Sequence, residues 1–267
     1  MNKDSGGYQT NPLVAELYDQ VVPYRERPDV AFFVQEADKS GGPVLEVGCG
    51  TGRILLPTAR AGISITGLDL STHMLDVCRQ HLEAEPPQVQ EKVTLVEGDM
   101  RDFDLGETFT LITTPFRPFQ HLLTVEDQFN CLTCIRRHLA PEGTFILDIF
   151  NPSLAALTAD NLGQEIEEEQ PFTTPEGIKV RRFHKVTARD FHNQIQDIEL
   201  IYHLTHPDGR EERIVHAFPM RYLFRFEAEH LLARAGLKVF DVFADFNRAQ
   251  LGTKYPGELI FLAKPNP

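Results

Sequence analysis

Cysteine is scarce in this chain of 267 residues: Cys49, Cys78, Cys131 and Cys134 are its four, irregularly spaced. So few cysteines do not make a disulfide scaffold, and a reducing cytoplasm is the expected setting. Basic residues are also in deficit, 26 against 39 acidic ones, for a formal net charge of −13. Such a field repels phosphate backbones and anionic lipid, which argues against nucleic acid and a membrane surface as partners. No apolar run approaches the roughly 20 residues of a spanning helix. The polar stretch from Met1 to Thr10 lacks the basic and apolar regions of a secretory leader, so export by that route is not expected. What is present is 42% hydrophobic and 24% charged, the balance of a folded globular protein. At about 150 residues per domain, the length allows one large domain or one domain with a sizeable insertion.

Short β-branched or apolar runs at 44–48, 63–69, 93–97, 109–113 and 145–149 alternate with helical spacing at 52–61, 72–83 and 125–139. Ser71 and Thr124 stand where N-caps belong, and Pro141-Glu-Gly143 follows the third helix. Strand and helix repeated at this pitch predict βαβ units, hence a doubly wound, mostly parallel α/β sheet. After Asn151-Pro152 the period drops to two. Ile198, Leu200, Tyr202 and Leu204 alternate with polar neighbours, and so do Ile214, His216, Phe218, Met220, Tyr222, Phe224 and Phe226. Pro207-Asp-Gly209 supplies the turn between these runs, which predicts an antiparallel β insertion. Helical spacing returns at 227–235 and stops at Gly236. Strands near 237–243 and 258–263 then finish the parallel sheet with a reversed C-terminal pair. The acidic run Glu165–Glu169 reads as a solvated segment.

Val44-Leu-Glu-Val-Gly-Cys-Gly-Thr-Gly-Arg53 puts a buried strand before three alternating glycines and a helix. Glycine lets the backbone turn tightly while a ligand lies against it. A dinucleotide fingerprint needs a further glycine where Arg53 stands, which weakens NAD as the ligand. Asp69 ends the second strand about 20 residues after Gly48, where a carboxylate accepts both hydroxyls of a ribose. Asp99 ends the third strand, placed to accept from an adenine amino group, with Met100 over the ring. Glu46 is a charge inside an apolar strand and calls for a donor or cation nearby. Together these residues describe an adenosine ligand with a positive or polar tail and no pyrophosphate.

Glu46-Val-Gly-Cys-Gly-Thr-Gly52, Asp69 and Gly98-Asp-Met100 resemble the three cofactor motifs of class I S-adenosylmethionine-dependent methyltransferases. The resemblance covers about 43–150, and 226–264 is similar to the family's closing helix and reversed strand pair. It implies a Rossmann-like fold and S-adenosyl-L-methionine as cofactor. Gly48, Gly50 and Gly52 would then meet its methionine and ribose parts, Asp69 the ribose hydroxyls, and Asp99 with Met100 the adenine. The antiparallel insertion is similar to that of the small-molecule branch that includes amino-sugar N-methyltransferases. On that likeness the chain divides into an N-terminal helical lid at 1–42, a cofactor-binding domain at 43–150 and 226–267, and an insertion at 151–225 that serves the acceptor or a homodimer. In similar enzymes the N-terminal segment folds over the cofactor, which makes Tyr18, Tyr24 and Arg25 candidates for the site.

A sulfonium methyl group is an activated electrophile, so a protein chiefly has to orient the nucleophile and exclude water. His121, in the stretch after the fourth strand, is the candidate base or acceptor anchor, and Tyr24 is a second catalytic candidate. Asp148 and Asn151 after the fifth strand are candidates to face the acceptor. Thr114-Pro-Phe116 departs from the Asn/Asp-Pro-Pro-aromatic signature of DNA amino-methylating relatives, in agreement with the acidic charge. Cys131-Leu-Thr-Cys134 sits in a helical pattern and is expected to be buried there, without metal. His184, His203 and His216 are scattered over strands and suggest no metal set. The expected function is methyl transfer to a nitrogen or oxygen of a small molecule. A non-catalytic cofactor-binding module and, behind it, an NAD-dependent oxidoreductase are the rival readings.

Overall fold

The computed structural model describes Tyr8, residues 12–21, Tyr24 and residues 27–266. In chain order its strands are β1 (Val44–Val47), β2 (Ile65–Asp69), β3 (Val93–Glu97), β4 (Phe109–Thr114), β5 (Leu139–Phe150), β6 (Ile166–Glu167), β7 (Phe172–Thr173), β8 (Lys179–Asp190), β9 (Ile195–Thr205), β10 (Glu211–Arg221), β11 (Leu237–Phe243) and β12 (Glu258–Pro265). The helices are α1 (Pro12–Tyr18), α2 (Asp29–Ser40), α3 (Leu55–Arg60), α4 (Thr72–Glu83), α5 (Pro87–Gln90), α6 (Val125–His138), α7 (Leu154–Leu157) and α8 (Arg225–Arg234).

A seven-stranded sheet runs in the order β11-β12-β5-β4-β1-β2-β3. Strands β1 to β5 pair in parallel, whereas β12 lies antiparallel to β5 and β11 antiparallel to β12. Both faces are covered. On one, α6 and α8 bury Leu132, Ile135 and Leu232 against Leu45, Ile112 and Leu147. On the other, α2, α3 and α4 bury Phe32, Phe33, Leu55 and Leu75 against Ile65, Leu111 and Ile146. Cover on two sides is why the central strands read as unbroken apolar runs. The expected caps are in place: Ser71 Oγ accepts from Met74 N at 3.3 Å and Thr124 Oγ1 from Asp127 N at 3.0 Å.

The insertion is a separate antiparallel sheet in the order β10-β9-β8-β6, with β7 also paired to β8. Helix α1 lies between the two sheets and is apolar on both sides. Val14 and Leu17 pack on Val180, Leu200 and Phe218 of the insertion. Ala15 and Tyr18 meet Met74 and Phe116 of the larger layer. The stretch 1–42 therefore splits, since Phe32 and Phe33 anchor α2 in the main core while α1 bridges the sheets.

Three local expectations change. Strand β10 stops at Arg221, so Phe224 and Phe226 are not strand positions: Phe224 precedes α8, its amide donates to Glu227 Oε2 at 3.3 Å, and Phe226 is 64% exposed. The fifth strand is longer than expected because it runs from Leu139 through the Pro141–Gly143 stretch. The run Glu165–Glu169 is not uniformly solvated. Glu168 and Glu169 lie 2.6 and 3.2 Å from Nη1 of Arg182, a buried guanidinium of β8 that needs anions beside it.

Candidate active site

One cleft opens where β1, β2, β3 and β4 end, at the C-terminal edge that holds ligands in such sheets. Glu46, Gly48 and Gly50 line it together with Asp69, Asp99 and Met100, Phe116, Pro118 and His121, and Tyr8 and Tyr18. The structure thus brings together the residues that the sequence singled out for a cofactor, with Gly52 and Tyr24 apart. A Cβ on Gly52 would lie 2.8 Å from Cys78 Sγ, so this glycine lets the turn pack on α4 and is not among the lining residues. Tyr24 also stands off the lining, its hydroxyl accepting a hydrogen bond from Arg182. Arg25 lies outside the described residues.

The glycine turn is tied to the end of β2. Gly50 N–H donates to Asp69 Oδ2 and Ser71 N–H to Oδ1, both at 2.8 Å. Burial pushes the Asp69 carboxyl above its usual range, opposed by these backbone amides. With a further backbone bond from Leu70, these leave acceptor capacity on a carboxylate with about four lone-pair sites. Gly48, at φ 79°, permits a close approach: a Cβ there would sit 2.6 Å from Cβ of Pro118. Asp99 is braced by Arg101, whose Nε lies 2.9 Å from Oδ1 and whose Nη2 lies 2.5 Å from Oδ2.

Glu46 is 2% exposed, and its Oε2 has no hydrogen-bond partner among the described residues. Burial drives its carboxyl well above the ordinary range, with Arg53 the main force pulling it back. Arg53 was legible only as a missing glycine, yet it lines the cleft. Its Nη1 and Nη2 donate to the two oxygens of buried Asp29 at 2.7 and 2.6 Å. The cleft therefore holds both the Arg53 guanidinium and a buried Glu46 carboxyl with one unpartnered oxygen among the described residues. An arginine directly after the glycine turn was the available signal, but the partner that orients it lies 24 residues earlier.

After β4, His121 closes a short 3-10 turn, Pro118–His121, and its ring stands 5.2 Å from Phe218 of β10. Gln120 staples this turn to both sheets: Nε2 donates to Arg221 O and Oε1 accepts from Phe150 N, each at 3.0 Å. Tyr18 meets Tyr8 at 5.9 Å and Phe116 at 6.0 Å between ring centres, and Tyr8 meets His216 at 4.5 Å. Tyr8, Phe116 and Gln120 escaped sequence reading, because aromatic and amide side chains carry no spacing signature.

Asp148 and Asn151 do not face the cleft as expected. Asp148 Oδ2 accepts from Phe116 N at 3.0 Å and from Arg27 Nη2 at 3.2 Å, and Asn151 Nδ2 donates to Pro256 O at 2.6 Å. Neither lines the cleft, and Asp148 Oδ1 has no hydrogen-bond partner among the described residues. All four cysteines are free and buried, and Cys131 and Cys134 lie on α6 as expected. His184 Nδ1 lies 3.3 Å from Glu168, and His203 Nε2 lies 3.8 Å from Glu165.

Residues 44–143 match a methyltransferase domain family, and the fold is the Rossmann-like one of solved methyltransferases. Among curated relatives, the chain is 33% identical over 141 residues to dTDP-3-amino-3,6-dideoxy-alpha-D-glucopyranose N,N-dimethyltransferase of Streptomyces fradiae, covering 51% of this chain and 52% of that one. It is 31% identical over 123 residues to dTDP-3-amino-3,4,6-trideoxy-alpha-D-glucopyranose N,N-dimethyltransferase of Streptomyces venezuelae, covering 46% and 48%. These alignments span about half the length of the curated relatives. The solved CcbJ methyltransferase of Streptomyces caelestis superposes with a TM-score of 0.80 at 23% identity, over 99% of this chain and 100% of that one. CalS10 of Micromonospora echinaspora, an amino pentose methyltransferase solved with S-adenosylmethionine bound, gives 0.69 at 23% identity over 94% and 97%. At that identity the likeness is one of fold.

Proposed function

We propose that the protein transfers the methyl group of S-adenosylmethionine to a nitrogen, or less readily an oxygen, of a small molecule. The observation that carries this reading is the buried Glu46 oxygen that has no hydrogen-bond partner among the described residues, in the same cleft as the Arg53 guanidinium. An amino-acid tail brings one ammonium and one carboxylate, and this pair of side chains matches both. Asp69 is placed for the ribose hydroxyls, Asp99 and Met100 for the adenine, and Tyr18 for the top of the cofactor. When bound, the cofactor supplies a methyl group activated on a sulfonium.

The remaining work falls to the chain itself. Tyr8, Tyr18 and Phe116 exclude water and offer π faces to the positive charge that passes to an amine nucleophile. Burial holds the Tyr18 hydroxyl far above its usual pKa, so it stays a protonated donor. His121 anchors the acceptor or takes its proton, since an amine attacks only in its neutral form. Nitrogen is preferred because the relatives above are named for N,N-dimethylation of amino sugars.

Among the described residues no helix is long and apolar enough to cross a membrane, and we place the protein in the cytoplasm with no nucleic acid partner. A homodimer would form along the outer edge of β10, which has no neighbouring strand among the described residues. Pro219 limits pairing there to Glu211–Phe218. Sedimentation showing a monomer at all concentrations would remove the dimer.

Two measurements test the activity. Titration calorimetry with S-adenosylhomocysteine and with NAD should show binding of the first, and binding of NAD alone would overturn the reading. Labelled S-adenosylmethionine is then incubated with a panel of primary amines and alcohols that includes dTDP-3-amino-3,6-dideoxyglucose. Label should appear in an amine product. Homocysteine-compound binding with no turnover anywhere on the panel would make the protein a non-catalytic module.

A further inference from the structure

Phe116 and Arg117 are consecutive residues, neither of them glycine, and both hold left-handed backbone, at φ 62° and 71°. Each such conformation costs on the order of 1 kcal/mol or more and persists only where the surroundings impose it. The surroundings here are a buried ionic network just outside the cleft. Asp148, fully buried on β5, accepts the Phe116 amide and Arg27 on the same oxygen. Arg117 Nη2 donates to both oxygens of Glu258 on β12, at 2.7 and 2.8 Å. Arg27 joins the parts: Nη2 reaches Glu258 Oε1 at 3.2 Å, and Nε lies 3.0 Å from Asp29. Arg27 and Arg53 also lie 4.9 and 5.1 Å from the Phe116 ring centre.

The turn so fixed has a geometric role. Pro118, two residues on, is packed against Gly48, and Phe116 lines the cleft beside Tyr18. We propose that Asp148 is a positioning residue for methyl transfer: by gripping the Phe116 amide it sets the turn that walls the cleft opposite the glycine loop. It touches no ligand, because Phe116 lies between. This inference rests on the methyltransferase reading for its catalytic consequence but not for its geometry.

Titration offers a readout. Burial pushes the Asp148 carboxyl up to about 6, against the pull of Arg27 and Arg117, while Glu258 pushes the same way as burial. These groups and the Phe116 amide are what faces it from the segment before α2, the loop after β4, and β12. Protonation near pH 6 weakens the grip on the turn. The folded value exceeds that of a free carboxyl, so the same protonation favours the fold as pH falls through 6. Loss of function and loss of stability therefore run in opposite directions.

The chain has no tryptophan, so Phe116→Trp places a single indole in the turn, and its emission can be followed from pH 4.5 to 8. A step near pH 6 is expected, absent when Asp148→Asn is added, and moved to higher pH when Arg27→Gln is added instead. The same profile in all three proteins would overturn the proposal, and the arginine variant decides it should the asparagine variant fail to fold. In the otherwise native chain, Asp148→Asn should lower kcat on the best amine of the panel by roughly 100-fold. Its Kd for S-adenosylhomocysteine should stay within about threefold. Equal losses in both would mark a merely structural residue and also overturn it. An inactive native chain that still shows the fluorescence step would instead defeat the function assigned above and leave the positioning geometry standing.

Discussion

On the proposed function, Asp69 would serve fold and ligand at once. Its oxygens already fasten the glycine turn through Gly50 and Ser71, so Asp69→Ala should loosen that turn as well as remove ribose contacts. Calorimetry with S-adenosylhomocysteine should show affinity falling by about 3 kcal/mol, the worth of one or two charge-assisted bonds. His121→Ala should behave differently: turnover falls by about 100-fold, whereas the calorimetric affinity holds. Among residues, those legible in advance were the ones whose role follows from position on a strand. Glu46 and Asp69 are acids at the inside and the end of apolar runs, so a need for a partner or ligand could be read from the sequence. Arg53 and Asp148 were misjudged, one as a mere departure from a glycine motif and the other as facing the acceptor. Their work depends on Asp29 and on the Phe116 amide, partners that no local pattern announces.

At the scale of elements, the site is the meeting of two loops, one after β1 and one after β4. Gly48 is where they touch, and a methyl group there meets the Pro118 ring. Gly48→Ala should cost about 1 to 3 kcal/mol, seen as a lower midpoint in thermal unfolding, with a weaker cleft as a second effect. Strands β1, β2 and β4 were readable because cover on both faces makes them largely apolar runs, and α4 and α6 because their caps are side chains. Helix α1 was harder. A helix buried on two opposite sides has no polar stripe to betray which way it faces. The end of β10 was misread because Phe224 and Phe226 continue an alternation that Glu227 interrupts by capping α8.

Seen whole, the molecule is two sheets with α1 and the Arg182 cluster between them. Arg182 joins Glu168, Glu169 and the Tyr24 hydroxyl, so it ties the insertion to the N-terminal segment. Arg182→Met leaves two acidic neighbours without their cation, and denaturant unfolding should show a loss of about 3 to 5 kcal/mol. The acidic run could not reveal this, because four acidic residues among five positions read as solvent-facing until the opposing strand is known. Helix α1 carries Tyr18 into the cleft while Leu17, its chain neighbour, is held by the other sheet. A nucleoside bound beneath Tyr18 would add a third mooring to α1, so filling the cleft would hold the helix against both sheets. Amide hydrogens of residues 14–18 should therefore exchange more slowly once S-adenosylhomocysteine saturates the protein.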